Sequence, residues 1–364
     1  MPKRLKSTFW TLAMQRKMGG IARKAVRASR KLLKSAVPKP SKSTKRPKPL
    51  QLTAAAKALK ARKSALSKPH GMRAGVALGP AGAKRYYVYR PPKKEPAKEP
   101  AGKMPLVVML HGCGQDARSF AASTRMNGLA AAAGCVVVYP EQDHLANVQG
   151  CWNWFDTRSG RALREAAGIL AVVDQACAAY PIDSTRVVVA GMSAGAGMAA
   201  LLALHHPERF AAVVMHSGVG PGLAHSTATA LTAMRGHSTS AGIALPMATS
   251  RMPLPALLVI QGNKDRVVAP VNGGLAAQRW AATMQAQPGA PRVVQRGVRY
   301  PATLTDWKLG QRVVTTWAQV AGLGHAWSGG SAAQSYSDSA GPDASRMVLA
   351  FAQRVFAQRY SDAV

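Results

Sequence analysis

Short, continuously apolar segments alternate with helical segments over most of this 364-residue chain, and this alternation constrains its fold more than any other feature. Strands that are buried on both faces are apolar throughout, and intervening helices return the chain to the same edge of a sheet. The pattern therefore predicts a mostly parallel central sheet with helices on both faces. The predicted strands are 106–110, 136–139, 187–190, 211–215, 256–261 and 313–317. The predicted helices are 119–133, 161–179, 194–205, 271–285 and 344–359.

Lysine and arginine are distributed unevenly along the chain, whose formal net charge is +34. Residues 1–94 contain 27 of the 49 basic residues and no Asp or Glu, whereas the remainder carries 22 basic and 15 acidic residues. We therefore predict a disordered basic arm over residues 1–74 and one folded domain over residues 75–364, with its first recognisable strand near Lys84. Within the arm, apolar residues at helical spacing predict two basic helices, at 9–33 and 54–66.

Several classes of protein are disfavoured by the sequence. No run approaches 18 apolar residues, so we expect no transmembrane helix. The apolar stretch near the basic N-terminus is too short for the core of a secretory signal. Four cysteines in a chain of this length do not form a disulfide scaffold. These features predict a cytoplasmic protein, with secretion through an unusual signal as the alternative.

Ser193 lies in the motif G-x-S-x-G, between a predicted strand and a predicted helix. In that context the motif is typical of a nucleophilic serine held at a sharp turn. Gly191 and Gly195 have no Cβ, so the strand and the helix can approach closely around the serine. The helix N-terminus favours negative charge that develops there. The alternative is a glycine-rich turn with an incidental serine, and the flanking strand and helix argue against it.

An acid and a histidine follow Ser193 in the order that a Ser–acid–His triad requires. Asp265 is the acidic residue after Ser193 that stands just behind a predicted buried strand, and His325 is the last histidine of the chain. We predict that His325 is the general base for Ser193 and that Asp265 orients the imidazole. An exposed loop aspartate and a structural histidine are the alternatives.

Acyl transfer through a serine also needs two N–H donors for the oxyanion. One is predicted at the backbone of Ala194, immediately after the nucleophile, and the other at Cys113, in the turn after strand 106–110. His111 lies in the same turn, where a metal or base role is conceivable. We interpret it instead as a residue that orients the loop by hydrogen bonding. This chemistry requires no metal and no organic cofactor.

Four motifs occur in order along the chain: H-G-C-G-Q at 111–115, C-W-N-W-F at 151–155, G-M-S-A-G at 191–195 and G-H-A-W at 324–327. Together they resemble the poly(3-hydroxybutyrate) depolymerase family of esterases, which includes relatives acting on acetylated xylan and feruloyl esters. The resemblance covers about residues 84–359. It implies an α/β-hydrolase fold for the domain behind the basic arm.

The resemblance implies the same triad, Ser193, Asp265 and His325, and the same oxyanion position at Cys113. Trp152, Asn153 and Trp154 match the family's aromatic loop near the active site. Because Trp152, Trp154 and Trp327 belong to motif loops, we predict that they line an apolar cleft, and we predict all four residues as substrate-binding.

Two positions depart from the family pattern. Gln261 stands where members often have His, and Ser328 stands where they commonly have Pro. Both departures are expected where substrate loops lie, so they bear on the choice of substrate and not on the chemistry. Cys113 and Cys151 fall inside two motifs that converge on the site, and a disulfide between them is a hypothesis. Two buried thiols are the alternative, which a reducing cytoplasm favours.

We predict a serine esterase that hydrolyses poly(3-hydroxybutyrate) or its oligomers, with acetylxylan or feruloyl esters as the alternative substrates. A catalytically inactive hydrolase fold used as a binding module is a further alternative, and the intact triad argues against it. A basic amphipathic arm predicts attachment to the anionic surface of storage granules. Nonspecific DNA tethering through the arm, or a solvated tail without a partner, remain alternatives. The oligomeric state is not predicted.

Overall fold

A computed structural model of the chain describes residues 71–92, 102–237, 245 and 252–361. The two helices predicted at 9–33 and 54–66 lie outside the described residues, together with most of the basic arm. The first described strand begins at Met72, so the expected domain boundary at residue 75 falls inside a strand.

The described residues form a large sheet, a two-stranded ribbon and seven α-helices. The strands are β1 (Met72–Gly79), β2 (Gly82–Tyr89), β3 (Met104–Leu110), β4 (Val136–Pro140), β5 (Ile182–Met192), β6 (Ala212–His216), β7 (Ala256–Gly262), β8 (Gln287–Pro288), β9 (Arg292–Val294), β10 (Ala302–Leu309), β11 (Arg312–Val320), β12 (Trp327–Ser328) and β13 (Ser337–Asp338). The helices are α1 (Ala117–Thr124), α2 (Met126–Ala133), α3 (Arg161–Ala179), α4 (Ala194–His205), α5 (Thr227–Met234), α6 (Val271–Thr283) and α7 (Ala344–Ser361), with a 3₁₀ turn at Pro207–Arg209.

The central sheet has the strand order β1-β2-β4-β3-β5-β6-β7-β11-β10-β8, with β9 also paired to β10. The six strands from β4 to β11 in this order run parallel, and the outer strands pair antiparallel. The predicted mostly parallel sheet is therefore confirmed. Because parallel strands end at the same edge, the loops after β3, β5, β6 and β7 lie along one edge of the sheet.

Apolar cores cover both faces of the sheet. One face packs against α3, α4, α5 and α6, and the other packs against α1, α2 and α7. Each fully buried Leu, Ile, Val, Phe or Met side chain contributes about 1.5–3 kcal/mol to stability through burial. Helix α4 is buried along almost its whole length, directly behind Ser193. Within the described ranges, no helix combines the length and the apolar character needed to cross a bilayer.

The structure differs from the predicted elements at several places. The helix predicted at 119–133 is divided into α1 and α2 because Arg125 adopts a left-handed conformation, with φ of 55°. Helix α5 and strands β1, β8, β9 and β10 were not predicted. Strands β1 and β10 are largely half-buried or exposed, so they lack the continuous apolar run that marks a central parallel strand.

Candidate active site

Ser193 occupies the turn between the end of β5 and the start of α4, with φ of 54° and ψ of −119°. This conformation is strained for a residue with a side chain, at a cost of about 1–3 kcal/mol. Hydrogen bonds hold it in place: the Ser193 N–H donates to the His216 carbonyl at 2.9 Å, and its carbonyl accepts from the N–H groups of Ala196 and Gly197. The turn therefore presents the hydroxyl at the C-terminal edge of the sheet.

The two glycines of the motif are required by close backbone contacts. A Cβ on Gly191 would collide with the carbonyl of Gly195, and a Cβ on Gly195 would collide with the carbonyls of Leu110 and His111. The close approach that these glycines predict is thus present. It also brings the turn after β3 next to Ser193.

Asp265 lies on the loop after β7 and is 4% exposed. Its Oδ2 accepts hydrogen bonds from His325 Nδ1 at 2.8 Å and from Gln261 Nε2 at 3.0 Å. Its Oδ1 accepts from the backbone N–H groups of Val267 and Val268, both at 2.9 Å. A carboxylate offers about four acceptor sites, so these four donors occupy all of them.

This environment keeps the Asp265 carboxyl ionised. Burial raises its pKa, but the hydrogen bond and charge of His325, together with the two backbone N–H donors, outweigh burial and lower the pKa below its ordinary value. Because an ionised carboxylate only accepts hydrogen bonds, the proton of the neutral His325 ring lies on Nδ1. Nε2 is then free to accept a proton.

One cleft of about 460 Å³ brings together the residues predicted to act on substrate. Ser193, His325, Cys113 and Ala194 all line it, and Asp265 lies behind His325. The predicted acid, base, nucleophile and N–H positions therefore converge from four separate loops or turns. Such convergence is the geometric requirement for nucleophilic acyl transfer.

The loop that carries Cys113 is fixed at several points. The Gly112 N–H donates to the Gln115 side-chain oxygen at 3.0 Å. The Gly114 N–H donates to the Gln149 carbonyl at 2.9 Å. Cys113 and Cys151 form a disulfide with a Cα–Cα distance of 4.3 Å. The hypothesised disulfide is therefore present, and it joins the loop after β3 to the aromatic loop.

His111 supports the same loop. Its Nε2 accepts the Gln142 N–H at 3.2 Å, which places the ring proton on Nδ1, where it donates to the Gly112 carbonyl at 2.9 Å. The carbonyl of His111 accepts the indole N–H of Trp152. Burial lowers the pKa of His111 to about 4, so the ring is neutral at pH 7. The interpretation of His111 as a loop-orienting residue is confirmed.

Trp152, Asn153 and Trp154, the predicted substrate-contacting residues of the aromatic loop, line the cleft. They are nevertheless largely buried. Asn153 is held by Glu165, which accepts from both its backbone N–H at 2.8 Å and its side-chain amide. Trp154 packs against Gly197 of α4, where a Cβ would approach the ring to 2.8 Å. The loop therefore forms a preorganised wall beside Ser193.

Trp327 does not line the cleft, so the prediction that it contacts substrate is wrong. The side chain is fully buried in the opposite core, edge-on to Phe120. Its indole N–H donates to the Ser345 hydroxyl at 3.1 Å. Trp327 therefore anchors the segment behind His325. The sequence placed it correctly next to His325, but only the direction of its side chain decides what it contacts.

His216, the last residue of β6, is a part of the site that the sequence did not reveal. Its ring is fully buried and stacks on Trp327, with centroids 4.9 Å apart. Its Nε2 accepts the Ser328 N–H at 3.1 Å, and its carbonyl accepts the N–H of Ser193. His216 thus connects the serine turn to the segment behind His325. A histidine directly after a buried parallel strand is the signal that would have indicated it.

The two departures from the family pattern lie in this network, and neither lines the cleft. Gln261 and Ser328 are both fully buried. Gln261 donates to Asp265, and the N–H of Ser328 donates to His216, a bond that a proline could not make. Their expected location in substrate loops is therefore wrong: both lie beneath the site.

Acid sensitivity of the fold is expected from His111 and His216. Burial is the main cause that lowers the pKa of His216 to about 3. In the unfolded chain both histidines regain a pKa near 6.5, so below that pH the unfolded state binds protons that the folded state excludes. The free energy of unfolding should therefore fall between about pH 6.5 and pH 4, by about 1.4 kcal/mol per pH unit for each histidine.

Denaturant unfolding at several pH values measures this slope. His216→Gln should reduce it, whereas His225→Gln, a change at an exposed histidine, should leave it unchanged. If the free energy of unfolding fell equally steeply with pH in the wild type and in His216→Gln, His216 would not be a cause of the acid sensitivity.

The strand order and the serine turn at the C-terminal edge define an α/β-hydrolase. The fold is shared with an acetyl xylan esterase from Aspergillus awamori, which has a TM-score of 0.55 at 20% identity over 70% of this chain and 94% of that chain. A fungal esterase structure from Rhizomucor miehei has a TM-score of 0.50 at 15% identity, covering 86% of this chain and 94% of that chain.

The family model described as Esterase PHB depolymerase matches residues 85–283, more than half of the chain. The chain belongs to this family. In the described part of the chain, no group of three or more His, Cys, Asp and Glu residues is placed to hold a metal ion.

Similar curated proteins differ in the substrates that their names give. Poly(3-hydroxyalkanoate) depolymerase C of Paucimonas lemoignei is 35% identical over 192 residues, covering 50% of this chain and 45% of that protein. Feruloyl esterase B of Neurospora crassa is 36% identical over 137 residues, covering 37% and 44%. Probable acetylxylan esterase A of Neosartorya fischeri is 28% identical over 225 residues, covering 57% and 58%. The chain spans about half the length of these relatives.

Proposed function

We propose that the chain is a carboxylic ester hydrolase that cleaves poly(3-hydroxybutyrate) or its oligomers through an acyl-serine intermediate. Family membership supports ester hydrolysis, and the similarity to a poly(3-hydroxyalkanoate) depolymerase supports the polyester. The arrangement of Ser193, Asp265 and His325 supports the mechanism.

In the first half-reaction the Ser193 hydroxyl attacks the ester carbonyl while His325 Nε2 takes its proton. The oxyanion that forms accepts hydrogen bonds from the backbone N–H groups of Cys113 and Ala194. Asp265 stabilises the imidazolium through the bond to Nδ1. Collapse of the intermediate breaks the bond to the leaving alkoxide, which takes the proton from His325. The acyl group then remains bonded to Ser193.

In the second half-reaction a water molecule replaces the alcohol. His325 takes a proton from the water as its oxygen attacks the acyl-serine carbonyl. The same two N–H groups donate hydrogen bonds to the new oxyanion, and collapse of the intermediate breaks the bond to Ser193. The serine oxygen regains its proton from His325, and a carboxylic acid leaves. No other reactant is consumed, so the net reaction is hydrolysis of one ester bond.

The observation that carries the polyester assignment is the apolar rim of the cleft. Leu231, Val267 and Tyr336 line the cleft and are each about half exposed. Val148 is 89% exposed and lies between the cleft-lining residues Asn147 and Gln149, in the loop before Cys151. Exposed apolar side chains that surround a cleft are typical of an interaction site. An apolar polyester surface fits this rim better than a hydrated polysaccharide does.

A substrate panel tests the proposal. Amorphous poly(3-hydroxybutyrate), 3-hydroxybutyrate oligomers, acetylated xylan and methyl ferulate are compared by kcat/KM or by initial rate of product release. We expect the polyester and its oligomers to be the best substrates. Higher activity on acetylated xylan or methyl ferulate would assign the chain to the alternative activity of its family.

Paired rim variants separate polymer contact from chemistry. The variant Val148→Ser should slow hydrolysis of the solid polymer and leave p-nitrophenyl butyrate turnover unchanged. The matched control is Val298→Ser, which also removes a fully exposed valine but does not touch the cleft. Equal effects of the two changes on polymer hydrolysis would argue against the rim as the polymer contact.

The basic arm supports a proposal about where the enzyme is held. We propose that its 22 Lys and Arg residues, unaccompanied by acids within residues 1–74, attach the chain to an anionic surface such as that of storage granules, with DNA as the alternative polyanion. Binding that depends on residues 1–70 and weakens with salt is expected. Granule sedimentation and DNA mobility shift, each with the full chain and a chain lacking residues 1–70, distinguish the two surfaces.

The Cys113–Cys151 disulfide indicates the compartment in which the chain folds. Disulfides persist in oxidising compartments and are rare in the cytoplasm, so the bond supports the secreted alternative, whereas the proposed granule attachment requires the cytoplasmic one. The remaining described cysteines, Cys135 and Cys177, are free thiols. Alkylation of accessible thiols in intact cells, followed by mass spectrometry, distinguishes an oxidised Cys113–Cys151 pair from four reduced cysteines.

A further inference from the structure

Gln261 is a buried amide at the end of β7 that contacts the acid of the triad. We propose that Gln261 is a positioning residue for ester hydrolysis, whose side-chain amide holds the Asp265 carboxylate in the orientation that His325 requires. The inference rests on the proposed function, because it assigns a role within that same site. Gln261 is one of the two positions at which this chain departs from the family pattern.

Both protons of the Gln261 amide are used. Nε2 donates to Asp265 Oδ2 at 3.0 Å and to the Val268 carbonyl at 3.1 Å. Two acceptors on the same side fix which end of the amide is the nitrogen. The side chain therefore closes the loop from the end of β7 through Asp265 to residue 268, and it donates to Oδ2, whereas the backbone donors bind Oδ1.

The oxygen end of the amide helps to explain why a polar side chain stands at position 261. Its Oε1 is buried without a hydrogen-bond partner among the described residues. A buried, unsatisfied carbonyl is destabilising, and an apolar side chain of the same size would avoid it. The donors therefore account for the presence of an amide here. Gly273 of α6 packs against the side chain, where a Cβ would lie 2.7 Å from the Gln261 Cβ, so Gln261 has little room to turn away.

The orientation of Oδ2 depends on this donor. Val267 and Val268 hold Oδ1, but among the described residues Oδ2 is bound only by Gln261 and by His325, the ring whose position must be controlled. Without Gln261 the carboxylate can rotate and carry the imidazole with it. The titratable groups that face Asp265 are His325 and, from β6, His216. Because Gln261 is itself uncharged, its effect on the pH profile comes through Asp265.

The test compares Gln261→Met with Gln319→Met. Methionine keeps the side-chain length and removes the donor. Gln319 is the register partner of Gln261 on β11 and supplies none of the four hydrogen bonds of Asp265. With p-nitrophenyl butyrate, Gln261→Met should lower kcat by about tenfold to a hundredfold, the range that misplacement of a catalytic group produces, with little change in KM. The acid limb of its kcat/KM profile should move to lower pH, because a carboxylate that has rotated away stabilises the imidazolium less.

Two further variants guard against a folding defect. Gln261→His supplies a ring N–H and should restore part of the lost kcat. Gln261→Glu can donate only when protonated, so its activity relative to the wild type should fall as pH rises. The proposal is overturned if folded Gln261→Met has the wild-type kcat and pH profile, if Gln319→Met loses activity equally, or if Gln261→Glu shows no added pH dependence.

A readout without turnover separates this proposal from the proposed function. The His325 Nδ1 proton, bonded to Asp265, should give a downfield proton NMR resonance in the wild type. We expect that resonance to shift in Gln261→Met and not in Gln319→Met. An unshifted resonance contradicts the positioning role even if no ester is hydrolysed, whereas a shifted resonance in a protein that hydrolyses no ester contradicts only the proposed function.

Discussion

Replacing Ser193 with alanine should lower kcat for p-nitrophenyl butyrate by at least about 10⁴-fold, because no other group can form the acyl intermediate. The oxyanion N–H groups and the cleft remain, so some acceleration over the uncatalysed reaction should persist. The fold should be retained. The backbone bonds that hold residue 193 come from the main chain of Ala196, Gly197 and His216, and they do not involve the hydroxyl.

Ser184, near the start of β5, provides the control. Ser184→Ala changes an exposed hydroxyl on the strand that leads to Ser193 and should leave kcat within about twofold of the wild type, as expected of a surface change. A fluorophosphonate probe should add its mass to the wild type and to Ser184→Ala, but not to Ser193→Ala. Turnover by Ser193→Ala within tenfold of the wild type would refute the nucleophile.

Replacing Asp265 with asparagine should lower kcat by about 10⁴-fold, the size of effect that follows when a triad histidine is held in the wrong tautomer. The backbone N–H groups of Val267 and Val268 require an acceptor, so the oxygen of the new amide should take the Oδ1 position. Its NH₂ group then replaces Oδ2 and faces two donors, Gln261 Nε2 and His325 Nδ1. His325 can relieve the clash only by moving its proton to Nε2, where it can no longer accept one from Ser193.

The measurement is kcat for p-nitrophenyl butyrate, with the wild type and the variant compared at the same pH. Asp174→Asn, at an exposed carboxylate of α3, should keep wild-type kcat and serves as the control. Thermal unfolding should show that Asp265→Asn remains folded. A loss of less than tenfold would show that the buried carboxylate does not control the tautomer of His325.

The predicted elements that agree with the structure share one property. Helix α3 was predicted at its observed bounds, and the central strands were recognised, because each is buried or amphipathic along its own length. Strand β10 was not recognised because it is an antiparallel strand near the sheet edge with a mixed burial pattern. Helix α5 is short, with few buried residues. For such elements the neighbouring strands and loops decide the conformation, and the local pattern carries little information.

Residue patterns along the chain predict the fold class and indicate Ser193, Asp265 and His325 as the triad. Those inferences rest on local conformation and chain order: a glycine-flanked turn, a buried strand before an acid, and the last histidine of the chain. Three other roles become visible in the folded chain: Trp327 faces the far core, His216 connects two loops, and Gln261 donates to the acid. Chain order does not specify these roles, because they depend on where a side chain points and on what lies across the sheet. Asp265 and His325 are 60 residues apart in the chain, and the 2.8 Å between Oδ2 and Nδ1 exists only because β7 and β11 are paired.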